Sequence, residues 1–193
     1  MAKYPEKSFI GEFQEAVDKS NGEWLEERRE YEFPGVTGQM IRWFQRNLND
    51  ELYRMWCPGP HKSFKLLNYP GVHGEVVEEA CKPFGPEKLL LCHPPIESTV
   101  FCDSLEVSLN RASYAQCIDL EGRTLFKILH EFYLYPDRTV MKNRYHLPKE
   151  ISEIALTAFL NHQDEEYIDT WADFLPQIYA EKTWMVYEEC VIE

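Results

Sequence analysis

The chain has 193 residues, of which 44% are hydrophobic and 14% aromatic, and a formal net charge of −13. That length suits one domain with a real core, and that apolar content excludes an intrinsically disordered chain. The acidic balance excludes the basic face that nucleic-acid binding needs and disfavours an anionic membrane surface.

Residues 1–20 read as helical or irregular, and the charged stretch 22–35 as a short strand or an arm. Thr37 is placed to cap a helix running to about Asn47, with Met40, Ile41, Trp43, Phe44 and Leu48 as its apolar set. Leu52–Trp56 reads as extended and ends at the turn Cys57-Pro-Gly-Pro60. The middle reads as β, with strands expected at Val76–Cys81, Lys88–Cys92, Thr99–Asp103, Leu105–Asn110, Tyr114–Asp119, Leu125–Tyr135 and Thr139–His146. Tyr135-Pro-Asp-Arg138 is a hairpin turn signal. Alternation in Thr124–Leu134 places His130 on the opposite face from Leu129. One long helix is expected from about Lys149 to Ala180, with Pro176 kinking or ending it. Helix, antiparallel strands, then a long helix is an α+β order, read as a single domain 1–193 with an N-terminal arm (1–35) and a core (36–180). A sheet curling round that last helix would leave a cavity between them.

No apolar run approaches the roughly 18 residues of a transmembrane helix, and the polar start, Met1 to Lys7, lacks a signal-peptide core. The six cysteines form no Cys-x-x-Cys pair, so reduced thiols and a cytoplasmic location are expected.

The apolar stripe Ile151, Ile154, Ala155, Ala158 and Phe159 extends forward through His162, Glu166, Thr170, Phe174 and Ile178. His162 and Glu166 therefore share one face of a helix, one turn apart, and that face points inward. A carboxylate and an imidazole there need each other or a metal ion. Further donors are His61, after the Cys-Pro-Gly-Pro turn, and Glu75, Glu78 and Glu79. Two His and two carboxylates suit zinc, although His-x-x-x-Glu taken alone more often forms a helix-surface hydrogen bond. P-loop, GxGxxG and GxSxG motifs are absent, and Cys92-His93, followed by two prolines, reads as loop rather than as a nucleophile pair.

Several segments in order resemble the 2,4-diacetylphloroglucinol hydrolases, which include phloretin hydrolase. They are Gly38-Gln-Met-Ile-Arg-Trp-Phe44, Tyr53-Arg-Met-Trp-Cys-Pro-Gly-Pro-His61, Gly71-Val-His-Gly-Glu-Val-Val-Glu-Glu79, Leu129-His130, Met141-Lys-Asn-Arg-Tyr-His146, His162-Gln-Asp-Glu-Glu166 and Ala172–Tyr179. The resemblance implies a Bet v 1-like helix-grip fold, with a curved antiparallel sheet around a long C-terminal helix enclosing a cavity. It implies Zn2+ held by His61, Glu79, His162 and Glu166, with Glu78 as the near alternative to Glu79. It further implies His130, Tyr53 and Tyr145 as catalytic residues, and Tyr53, Phe64 and Tyr145 as substrate contacts. Taken singly, each Tyr is more often a core aromatic and His130 a structural strand histidine. Cys57 departs from the family's usual His, and Phe64 stands where a polar contact is expected.

The implied activity is zinc-dependent hydrolysis of a carbon–carbon bond joining an acyl group to a phenolic ring. The departures leave open a secondary-metabolite cyclase or isomerase on the same fold, or a non-enzymatic carrier of hydrophobic ligands. The expected partner is a small aromatic ketone or polyketide-like molecule, with no nucleic acid and no membrane; a homodimer is left open.

Overall fold

The computed structural model describes residues 5–69, 72–168 and 170–190, so Gly71 of the motif above and both ends of the chain lie outside it. Helices begin where a capping side chain is present. Ser8 accepts from the Gly11 amide and starts α1 (Phe9–Ser20), which buries Phe9, Phe13, Ala16 and Ser20 at helical spacing. The charged segment that follows is an eleven-residue strand, β1 (Trp24–Pro34). Thr37 caps α2 (Gly38–Asn47), as its sequence predicts.

Leu52–Trp56 is helical, not extended, and belongs to α3 (Asp50–Trp56). The Asn49 side chain accepts from the Leu52 amide, and Asp50 and Glu51 put negative charge in the first turn. Leu52, Tyr53 and Trp56 form its buried face.

The sheet continues with β2 (His61–Tyr69), β3 (Val72–Ala80), β4 (Pro86–Cys92), β5 (Ala112–Ile118), β6 (Thr124–Leu134) and β7 (Arg138–Pro148). The order is β1-β7-β6-β5-β4-β3-β2, antiparallel throughout. β2 has no counterpart among the expected strands: Ser63-Phe-Lys-Leu-Leu-Asn-Tyr69 lacks strict alternation, and its pairing with β3 shifts register between His61 and Ser63. The strands expected at Thr99–Asp103 and Leu105–Asn110 are absent; that stretch carries short 3-10 turns at Ile96–Ser98, Cys102–Ser104 and Leu109–Arg111. Hydroxyls of Ser98, Thr99 and Ser104 donate to the carbonyls of Pro95, Ile96 and Phe101, and this local bonding displaces a strand ladder.

The expected C-terminal helix is two helices, α4 (Glu153–Tyr167) and α5 (Trp171–Cys190), and Pro176 lies inside the second. The break has a local cause. The Glu166 carbonyl, which would accept the Thr170 amide in a continuous helix, instead accepts Trp56 Nε1 at 3.0 Å and the Thr170 hydroxyl. After the break Ile178 is buried as the stripe predicts, but Trp171 and Leu175 take the buried positions expected of Thr170 and Phe174, which are half-buried.

One face of the sheet carries the main core. Phe13 of α1, Phe126 of β6 and Phe159 of α4 meet with ring centroids 5.1–6.1 Å apart. Towards α5, Phe33 packs on Trp171 at 5.1 Å and Phe44 on Trp56 at 5.4 Å. On the other face, Phe101, Tyr114 and Leu129 make a small second core under the 3-10 turns. No described helix is long and apolar enough to cross a membrane.

Candidate metal centre and ligand cavity

Three elements bring four donors together. His61 opens β2 and is the cross-strand partner of Glu79 on β3, so the two share a face. α4 lies across that face and presents His162 and Glu166 from successive turns. One ligand atom from each of the four residues lies within 4.8 Å of the others, and all four residues are buried. His61 Nε2 lies 2.8 Å from Glu166 Oε1, His162 Nε2 lies 3.0 Å from Glu79 Oε2, and His162 Nε2 lies 3.7 Å from Glu166 Oε1. Adjacent strand residues face opposite ways, so Glu78 points away and accepts from Ser63 at 3.3 Å.

The surroundings orient this set. His61 Nδ1 donates to the Tyr53 carbonyl at 2.9 Å, which leaves Nε2 as the donor atom aimed at the cluster. The Tyr53 ring stacks on the His61 ring at 3.9 Å, and its hydroxyl donates to Glu79. Gln163 Nε2 donates to Glu166 Oε2 at 2.8 Å. Burial pushes Glu79 up, but His162, His61 and Tyr53 outweigh it and hold the carboxyl down at about 2. Burial pulls His162 down, and Glu166 with Glu79 raise it to about 9. His162 Nδ1 is buried with no hydrogen-bond partner among the described residues, so the cluster alone holds this ring. Two imidazole nitrogens and two carboxylates converge here and fit a zinc ion by number and by type, with the His162 proton displaced when the ion binds.

The cluster sits in the wall of a cavity of about 670 Å³ between the sheet and α4. Tyr53 and His130 also line it. Asn143, the cross-strand partner of His130, accepts from His130 Nδ1 at 2.7 Å and donates through Nδ2 to the Tyr145 hydroxyl at 2.8 Å. His130 Nε2 is left as an acceptor. Burial lowers the pKa of His130, and the Asn143 bond opposes that shift only in part.

Two expected substrate contacts lie elsewhere. Tyr145 is fully buried behind the wall, with its ring on Phe159 at 5.2 Å and its hydroxyl taken up by Asn143. Phe64 is buried against the Tyr53 ring at 5.4 Å and does not line the cavity. Tyr53 itself spends its hydroxyl on Glu79, so it acts on a cluster carboxylate and not on a ligand oxygen. Glu75 lines the cavity but stands outside the cluster, beside His93.

The sequence reading missed Gln163, Trp56 and Asn143. The i, i+3 spacing of Gln163 and Glu166 on one helix face was a usable signal for the first. Trp56 acts on Glu166 from 110 residues away, with no local trace. Asn143 lies two residues from Tyr145 on one strand face and across the β6–β7 hairpin from His130, a placement the hairpin turn signal makes readable.

No protein-family model matches the sequence, and no curated protein matches it. Solved structures match its fold. The crystal structure of Ara h 8.0201 is similar at TM-score 0.50 and 9% identity, over 75% of this chain and 93% of that one. The di-domain ARO/CYC BexL from the BE-7585A biosynthetic pathway is similar at TM-score 0.53 and 9% identity, over 78% of this chain and 50% of that one. Likeness at such identity carries the architecture and nothing chemical. A seven-stranded curved antiparallel sheet wrapped on a C-terminal helix, with a cavity between, is the Bet v 1-like helix-grip fold.

Proposed function

We propose that this protein is a zinc-dependent enzyme acting on a small aromatic ketone or polyketide-like molecule, with hydrolysis of an acyl–ring carbon–carbon bond as the reaction. The observation that carries the reading is the buried His61–Glu79–His162–Glu166 set in the wall of a ligand-sized cavity. A carrier of hydrophobic ligands has no use for four converging ionisable groups whose burial is costly. The ordered motifs resembling the 2,4-diacetylphloroglucinol hydrolases support the hydrolytic reading. Five free cysteines among the described residues accord with a cytoplasmic location.

A zinc ion bound by these four residues would supply Lewis acidity and lower the pKa of water there. The chain's own residues account for the rest. Hydrolysis adds hydroxyl to the acyl carbon and a proton to the ring carbon as the bond between them breaks. His130 Nε2, an acceptor in the tautomer that Asn143 fixes, takes a proton and returns it to the ring carbon. The aromatic and aliphatic cavity wall holds the ring and excludes water.

A cyclase or isomerase on the same site is the second reading. A fold shared with a protein described as an ARO/CYC is consistent with it. Elemental analysis of the purified protein and mass spectrometry of acylphloroglucinol incubations test both. Stoichiometric zinc, products heavier than substrate by one water in total, and loss of turnover in His162→Ala support the hydrolase. Unchanged product mass supports the second reading, and absence of zinc, or full activity in His162→Ala, overturns the metal enzyme.

A further inference from the structure

Glu75 and His93 form an ion pair in the cavity wall outside the metal centre. Alternation along β3 puts Glu75, Val77 and Glu79 on one face. Four residues of antiparallel strand set the Cα atoms of Glu75 and Glu79 about 13 Å apart. Glu79 belongs to the cluster, so Glu75 marks the far end of the cavity.

One hydrogen bond and one ion-pair contact set the charge state of His93. Its Nδ1 lies 3.1 Å from the Tyr114 carbonyl, which can only accept, so Nδ1 carries a proton. Its Nε2 lies 3.4 Å from Glu75 Oε1. A bare nitrogen facing a carboxylate oxygen would be repulsive, so a second proton sits between them and the two form an imidazolium–carboxylate pair. Burial pulls His93 down, but Glu75 outweighs it and raises its pKa, in keeping with that pair.

Glu75 has spare capacity. Its side chain is 15% exposed, and it makes no other polar contact with the described residues. A carboxylate offers about four lone-pair sites. Leu91 and Ile96 in the wall are half-buried, while Leu66 and Leu109 are exposed, so this end is the mouth of the cavity, where a donor on the ligand would take the open acceptor sites in place of water.

We propose that Glu75, held by His93, is a distal recognition site for a neutral hydroxyl on a ligand whose ketone lies at the His61–Glu79–His162–Glu166 end. His93 neutralises Glu75, so a ligand ammonium would meet an adjacent imidazolium and gain little. The span between the ends, about 10 to 13 Å, fits a two-ring ligand and is too long for a single acylated ring. The placement of the ketone rests on the proposed function; the hydroxyl contact does not.

The test is isothermal titration of the full chain, with and without zinc, using 1,3-diphenylpropan-1-one and 3-(4-hydroxyphenyl)-1-phenylpropan-1-one. The hydroxylated probe should bind about tenfold to a hundredfold more tightly, the usual effect of a hydrogen bond to a charged group. That advantage should shrink in the near-isosteric Glu75→Gln and vanish in Glu75→Leu. His93, a positioning residue, should lose the advantage as His93→Leu and keep most of it as His93→Gln. Equal affinity of the two probes in the wild type, or an advantage unchanged in both Glu75 variants, overturns the proposal. A hydroxyl advantage without any zinc binding supports it and overturns the metal reading instead; zinc binding with no hydroxyl advantage does the reverse.

Discussion

At the scale of single residues, polar groups in this cavity wall are set by neighbours that pair with them. Asn143 gives the clearest case, since it bridges His130 and Tyr145. Asn143→Leu should destabilise the fold by about 1–3 kcal/mol, because it strands two polar groups behind the wall. The His130 imidazole should titrate below its ordinary value of 6.5 in the wild type. The Asn143 bond raises that pKa, so Asn143→Leu should lower the midpoint further. The sign for stability follows: a histidine with a depressed folded pKa favours the folded state above that range and costs stability as pH falls below its unfolded value. Histidine NMR titration reads both effects, and an upward shift in the variant would contradict the assignment. Gln163→Leu should weaken zinc binding about 10–100-fold through Glu166, while Glu78→Gln should leave it unchanged. The convergence of His61, His162 and Glu166 was legible from motif order, whereas the choice of Glu79 over Glu78 stayed open until the facing of β3 placed Glu79 with them. The partner of Tyr53 was not legible, since its hydroxyl meets Glu79 only through tertiary packing.

At the scale of elements, the stretch between β4 and β5 depends on one buried ion pair. Arg144 Nη1 and Nη2 donate to the Ser104 side chain and carbonyl, and Arg144 Nε lies 3.3 Å from Glu131. Glu131 Oε1 also accepts the Glu106 amide at 2.7 Å. Glu131→Ala would leave the Arg144 charge buried and unpaired, a loss of about 3–5 kcal/mol, measurable by urea denaturation. A loss within 1 kcal/mol, the range of exposed pairs, would show that the pair does not hold this segment. Apolar content alone made the segment look like strand, whereas local hydroxyl-to-carbonyl bonding holds it in 3-10 turns. The reverse error, reading α3 as extended, came from weighting Leu52–Trp56 by apolar content and overlooking the Asn49 cap. Long strands with regular alternation, β6 and β7 above all, were legible almost to their ends.

At the scale of the whole molecule, the cluster joins β2, β3 and α4, so an ion bound there ties the sheet to the helix it grips. Zinc at a hundred times its Kd should add about 2.7 kcal/mol to stability. For a domain of this size that raises Tm by about 5–11 °C, and a chelator should reverse it. A scan with no shift would show that the site does not bind the ion. Phe13→Ala should cost about 3–5 kcal/mol, since that ring joins α1, β6 and α4. The separation of α4 from α5 carries a kinetic consequence. With the Glu166 carbonyl committed to Trp56 and Thr170, unwinding of α5 meets an interrupted ladder, among the described residues, before it reaches α4. Pro176 removes one further amide donor from α5. Amides of 173–183 should therefore exchange with deuterium as a faster, separate unit while those of 156–166 stay protected. The metal-facing helix would then keep its ligands in place while its neighbour opens, and the protein could exchange cavity contents without dismantling the centre.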